Sequence, residues 1–278
     1  MKYGVHAGLW MARWTDDIVP IMRIVSDLGF DGIEISLLGM SDEKAEALGS
    51  LASGHGLNIT CSDGLTPQAD ITSADADIRK AGREYLRWAV RTAAKMGSQS
   101  LAGVIYAPWG VYEPDRKEER AAYASEAFAA LDADLKARNV KLGIEAINRF
   151  ETDLVNTARE ATRIAEDSNS EHVGVLLDTY HLNMEEKEIS RAIAETGEKL
   201  FHFHVSENDR GVPGSGHLPW NDVKAGLDEL SYDDWIVAEI FVIAGNPASA
   251  DLKIWRNIEP DATDAARRSL DFMRKTFG

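Results

Sequence analysis

The sequence predicts a single (β/α)8 TIM barrel spanning residues 1–278, on three observations. Short apolar runs of β character alternate strictly with longer helical ones, there are eight of each, and no linker, repeat or shift in composition divides the chain. The first run, Lys2–Gly8, could pass for a short leader. His6 and Arg13 interrupt it and no small-residue cleavage site follows, so it reads as strand one. Helix and strand then alternate: Ile18–Leu28, Gly32–Leu37, Asp42–Gly54, Asn58–Ser62, Ile78–Lys95, Ser100–Ile105, Glu118–Ala137 and Lys141–Ile147. The second half continues with Ala158–Ser168, Val173–Asp178, Glu186–Glu195, Leu200–Val205, Trp220–Leu230, Ile236–Phe241 and Asp264–Phe277. LGFDG, HGLN and ARNV punctuate helix-to-strand turns, because Gly or Asn there can take the left-handed conformation that ends a helix.

A doubly wound open sheet is the structural alternative, but no G-x-G-x-x-G follows the first strand and no G-x-x-x-x-G-K-[ST] occurs. The Gly-rich stretch Gly211–Gly216 is on its own weak evidence for phosphate binding. Charge narrows the partners further. Thirty Lys and Arg against 46 Asp and Glu leave a net charge of −16, which repels phosphate backbones and disfavours nucleic acid. Cys61 is the only cysteine, so an intramolecular disulfide and a thiolate metal cage are both excluded, and a reducing cytoplasm fits. No apolar run reaches the length of a membrane span.

Function points to four residues at or near the ends of successive apolar runs: Glu145 in KLGIEAI, Asp178 in VGVLLD, His204 in LFHFHV and Glu239 in WIVAEIF. A carboxylate or imidazole in a buried strand is costly unless paired, and a divalent metal pairs with all four at once. In a TIM barrel these ends, from strands five to eight, converge on one face. Three carboxylates with one imidazole suit Mn²⁺, Mg²⁺ or Co²⁺ better than a structural zinc. Read one at a time, each could instead be a barrel residue held by a Lys or Arg. Four at matching strand ends favour the metal.

The neighbours sharpen the site. Glu145 is followed by Asn148, Arg149 and Glu151, and His181 lies three residues past Asp178, close enough to reach the same site from the first loop turn. Alternation puts His202 on the same side as His204, so either could be the ligand, and Arg210 follows in the loop. Trp10, Trp14 and Trp109 stand near strand ends, where aromatic walls could cover the C–H faces of a sugar.

LGIEAINRFETDLVNT, VGVLLDTYHLNMEE, FHFHVSENDRGVPGSGHLPW and AEIF resemble the ketose 3-epimerases, the D-tagatose and D-allulose (D-psicose) 3-epimerases of the xylose isomerase-like barrels. The resemblance runs from MKYGVHAGLW through DLKIWRN to the C-terminus. It implies that Glu145, Asp178, His204 and Glu239 bind Mn²⁺, with Co²⁺ or Mg²⁺ as substitutes. It also implies that Glu145 and Glu239 form the acid/base pair, that Glu151, His181 and Arg210 hold the ketose end, and that the protein forms a homodimer or homotetramer. His6 stands where many members carry Phe or Tyr, Ile240 where Pro is common and His217 where Arg is frequent, which puts the choice of ketose in question.

The chemistry is consistent with those roles. The C3 proton of a ketose is acidic because C2 is a carbonyl, and inverting C3 needs a base on one face and an acid on the other. A C1–C2 sugar isomerase, a metal-dependent dehydratase, an endonuclease and a non-catalytic sugar-binding protein are the alternatives. A small-molecule ketose, with neither nucleic acid nor a membrane as partner, is the expectation.

Overall fold

A computed structural model describes residues 1–278. Eight parallel strands close into a barrel in the order β1 to β8: β1 (Lys2–His6), β2 (Gly32–Ser36), β3 (Asn58–Leu65), β4 (Ser100–Pro108), β5 (Lys141–Ala146), β6 (Val173–Asp178), β7 (Leu200–Val205) and β8 (Trp235–Ala238). The main outer helices are α1 (Val19–Leu28), α2 (Asp42–Gly54), α3 (Ala76–Lys95), α4 (Lys117–Ala129), α5 (Asp132–Arg138) and α6 (Ala158–Asp167). After these come α7 (Thr179–Glu185), α8 (Ile189–Thr196), α9 (Trp220–Glu229), α10 (Pro247–Asp251) and α11 (Ala262–Phe277). The three anticipated turns are present, with Gly29, Gly56 and Asn139 all at positive φ. None of the helices is long and apolar enough to cross a membrane.

Where local structure departs from the sequence expectation, the backbone gives the reason. The single helix expected over Glu118–Ala137 is two, because ψ flattens to −11° at Ala130 and −12° at Leu131. The eighth strand ends at Ala238 rather than Phe241. Beyond it the Phe241 N–H donates to the Arg210 carbonyl, which ties the chain to the loop after β7. The expected helix over Glu186–Glu195 begins only at Ile189, and α7 precedes it. Asp178 caps α7 by accepting from the Tyr180 N–H at 2.8 Å, so one carboxylate both ends a strand and starts a helix.

At the β3–β4 seam the register shifts between Gly64 and Leu65. Gly103 opposite has φ +125°, and a Cβ there would lie 2.4 Å from the Asp63 carbonyl, so only glycine lets the strands close. The Gly211–Gly216 stretch is not a phosphate cradle: Glu207 Oε1 already accepts the N–H groups of Gly216 and Leu218.

Candidate active site

At the C-terminal mouth of the barrel lies a cavity of about 390 Å³. Its lining includes nine of the residues singled out from sequence: His6, Trp14, Trp109, Glu145, Glu151, His181, His204, Arg210 and Glu239. Asp178, fully buried, lies behind them and joins Glu145, His204 and Glu239 in a cluster whose ligand atoms are all within 4.8 Å of one another. Trp10 departs from expectation: its indole N–H donates to Thr263 and its ring packs against the core, away from the cavity.

His202 is a neighbour of the cluster and not a member. It sits two residues earlier on β7, and its Nε2 lies 2.7 Å from Glu34 Oε2 while its Nδ1 faces the Ser100 hydroxyl at 3.4 Å. Glu34 Oε1 in turn lies 2.8 Å from His204 Nε2. These are close, bent charge contacts rather than linear hydrogen bonds, and Glu34, His202 and His204 form a second group of potential ligand atoms within 4.8 Å of one another.

The donor set fits a divalent cation. Three carboxylates and one imidazole converge, and His204 Nδ1 is buried with no hydrogen-bond partner. Here the excess of negative charge is balanced by Arg210, whose Nη1 lies 2.5 Å from Asp178 Oδ2 and 2.7 Å from Glu239 Oε2. Its guanidinium also stacks on Tyr180, 4.1 Å from the ring centroid.

The two carboxylates of the quartet that flank the cavity are driven apart. Burial, reinforced by the charge on Glu239, pushes Glu145 well above the usual carboxylate range. Burial acts on Glu239 in the same direction, but His204 and Arg210 outweigh it and hold the group below that range. Asp178 is raised by burial to about 6 against the pull of Arg210. Burial works against charging His204, and the Glu34 and Glu239 carboxylates overcome it, so a cation arriving there must displace a proton.

His181, in the first turn of α7, has a fixed tautomer. Its Nδ1 receives the Asn148 backbone N–H at 3.1 Å and faces the Asn148 side-chain amide at 2.9 Å. That amide donates to Glu151 at 2.8 Å and its oxygen accepts from Phe150, which fixes its orientation. Burial, aided by Arg210, keeps the imidazole well below its usual range, so the ring is neutral and its proton is on Nε2. That nitrogen lies 3.6 Å from Glu145 Oε1 and 3.2 Å from Arg210 Nη2. Two donors face each other there, an arrangement that suits an oxygen placed between them.

The remaining wall comes from β1 to β4 and from α10. Trp109 donates to Glu151 Oε2 at 2.9 Å, and Trp14 donates to Asp251 Oδ2 at 2.9 Å. Buried Arg120 anchors the loop carrying Glu151 through Asp153 at 2.8 Å. Ser62 and Asp251 were not singled out, and as ordinary polar groups they carry no sequence signal of their own; Asn148 was noted only as a neighbour of Glu145, without a role. Glu34 did carry one: Gly32-Ile33-Glu34 repeats Gly143-Ile144-Glu145.

With this geometry in place, relatives can be compared. A family model described as a xylose isomerase-like TIM barrel matches residues 22–276. The chain is 32% identical to a D-psicose 3-epimerase of Enterocloster bolteae, over 100% of this chain and 96% of that one. The chain belongs to the ketose 3-epimerase family. This epimerase also superposes on a crystal structure of D-psicose 3-epimerase in the presence of D-fructose, with TM-score 0.95, 30% identity and 100% of both chains covered. A second structure, D-psicose 3-epimerase with D-tagatose from Clostridium cellulolyticum H10, gives 0.94 at 30% identity, covering 100% of this chain and 99% of that one. As an isomerase of carbohydrates this epimerase has its strand-end acids where the fold places chemistry.

Proposed function

We propose that this epimerase inverts C3 of a free ketose, of the D-fructose/D-allulose, D-tagatose/D-sorbose or L-ribulose/L-xylulose kind, with Glu145 and Glu239 as the proton-transfer pair. The observation that carries this reading is that Glu145 and Glu239 both line the cavity and both belong to one four-residue cluster of potential ligands. With no ion bound, burial favours the proton on Glu145, whereas His204 and Arg210 favour the charged form of Glu239. Such a pair can give a proton on one face of C3 and take one from the other, and exchange roles when the reaction reverses.

Glu145, Asp178, His204 and Glu239 would hold a divalent cation, Mn²⁺ with Co²⁺ or Mg²⁺ as substitutes, which when bound would supply Lewis-acid polarisation of the ketose carbonyl. His181 Nε2–H and Arg210 donate to the ketose oxygen that gains negative charge. Glu151, held by Trp109 and Asn148, accepts from a hydroxyl at the same end and keeps the Glu145 side of the site in place.

The wall across the cavity would read the rest of the sugar. Gly8 N–H donates to His6 Nδ1 at 3.1 Å, so in the neutral ring Nε2 carries the proton and donates to Ser62 Oγ at 3.0 Å. A Cβ on Gly8 would come within 2.7 Å of that Nδ1, so the glycine is part of the device. Ser62 is thereby left free to donate its own proton into the cavity, an option a Phe at position 6 would not enforce. Trp14 and Trp109 cover C–H faces. A C5 and C6 ketose panel incubated with Mn²⁺-loaded protein in D₂O tests the reading. The expected product is a C3 epimer with deuterium at C3; label only at C1 or C2 would replace this reading with aldose–ketose isomerisation.

A further inference from the structure

Beneath the quartet lies a carboxylate that the proton-transfer chemistry does not use. Glu34 is fully buried on β2 and does not line the cavity, although one of its oxygens lies within 4.8 Å of ligand atoms of His6 and Glu239, which do. Three groups meet it: the Thr60 hydroxyl donates to Oε2 at 2.9 Å, His202 Nε2 lies 2.7 Å from Oε2 and His204 Nε2 lies 2.8 Å from Oε1. An ionised carboxylate is acceptor-only, and a ring nitrogen bearing a lone pair would be repelled at these separations, so both imidazoles must turn an N–H toward it. For His202 the other nitrogen meets Ser100. For His204 it is Nδ1, unpartnered and 3.6 Å from Glu239 Oε1, that faces the quartet.

We propose that Glu34 is a positioning residue: by holding the Nε2–H of His204 it fixes the tautomer that leaves Nδ1 as the nitrogen donor of the quartet. His202 and Thr60 serve as its counterweights. Their two donors keep the carboxylate from swinging upward into the cavity, where it would compete with Glu239. This division also explains why two histidines at alternate positions of β7 are not interchangeable. Both contact Glu34, but only the upper ring has its second nitrogen in the cluster. The role is of the outer-shell kind that orients a ligating imidazole and raises its basicity. It rests on the metal reading of the quartet given above.

The test uses the full-length protein and two readouts other than turnover. Mn²⁺ affinity, followed by the electron paramagnetic resonance of the free ion, should weaken on the order of 10- to 100-fold in Glu34→Gln, because Gln offers one oxygen and an NH₂ group to three donors. Thr60→Val, which removes a donor to Glu34 without touching His204, should weaken Mn²⁺ binding less than Glu34→Gln does, because both imidazoles still face the carboxylate. In Mg²⁺-loaded, ¹⁵N-histidine-labelled parent protein, long-range ¹H–¹⁵N correlations should show His204 protonated at Nε2 only. That spectrum decides the matter alone if Glu34→Gln does not fold. A proton on Nδ1 of His204 in the loaded protein, or a folded Glu34→Gln that binds Mn²⁺ as the parent does, would overturn the assignment. A parent that binds no divalent cation would overturn the metal reading itself.

Discussion

The barrel half built by β5–β8 and the half built by β1–β3 face each other across one cavity and carry opposite chemistry. On the first, Glu145, Asp178, His204 and Glu239 stand with Arg210, and charge meets charge at 2.5 to 3.6 Å. On the second, the cavity is faced by His6, Ser36, Ser62 and Asp63, with His6 kept below the usual imidazole range chiefly by burial. The carboxylates of that half are placed differently. Glu34 is turned down onto two histidines. Asp63 has only neutral donors, the Tyr85 hydroxyl at 2.9 Å and the Gly64 N–H at 2.9 Å, and burial pushes it up to about 7. Among these buried acids Glu34 and Glu239, each set against histidines, are held below the usual range, whereas Asp63, with neutral donors only, is raised. In the proposed mechanism proton transfer belongs to the β5–β8 side, and the hydroxyl groups of the opposite wall would recognise the sugar.

Four experiments break or sharpen that contrast. The largest effect is expected on the charged side: Glu239→Gln should cost about 100- to 10,000-fold in turnover while circular dichroism shows the fold retained. Activity near the parent's would remove Glu239 from the chemistry. The next concerns Asp63. Its folded value, about 7, lies above its ordinary 3.8, so the folded state binds the extra proton. Its contribution to stability should therefore be fully present below about pH 4 and be lost as pH rises to about 7, a change on the order of 4 kcal/mol. Asp63→Asn cannot ionise, so its thermal midpoint should vary less over that window. Equal slopes in parent and variant would show that Asp63 keeps its charge after all.

A smaller effect should follow from metal. Mn²⁺ at roughly 100 times its dissociation constant should add about 2.7 kcal/mol to stability, and a chelator should reverse this together with activity. The gain should disappear in Asp178→Asn and survive in Ser62→Ala. Smallest is the neutral wall: Ser62→Ala and His6→Phe should each raise KM for a ketohexose by about fivefold, the worth of one hydrogen bond, with Mn²⁺ affinity unchanged. Because the two residues form one relay, the double variant should be no worse than either single one. Additive losses would separate them.

Much of this organisation was legible before any coordinates. The alternation of runs marked the barrel, and four costly side chains at strand ends marked the quartet, because strand order alone carries neighbouring ends to one face. The partner of each residue was not legible. Gly-Ile-Glu occurs twice, yet Glu145 reaches the cavity whereas Glu34 reaches His202 and His204 on β7, a meeting made only when the barrel closes. His202 and His204 share a face by alternation, and only their depth in the barrel separates ligand position from support. The helix α7 escaped notice because Asp178, read as the end of a strand, is also its cap. His6 and Trp14 were placed at the cavity by resemblance and position, but the His6–Ser62 hydrogen bond needed the register of β1, β2 and β3.

The central claim is that Glu145 and Glu239 serve opposite faces of C3. It is tested most directly by incubating metal-loaded Glu145→Gln and Glu239→Gln separately with each of two C3-epimeric ketoses in D₂O and locating deuterium by NMR. Each variant should exchange the C3 proton of one epimer without inverting it, and the two variants should exchange opposite epimers. Formation of an epimer by either variant, or exchange of the same epimer by both, would contradict the account.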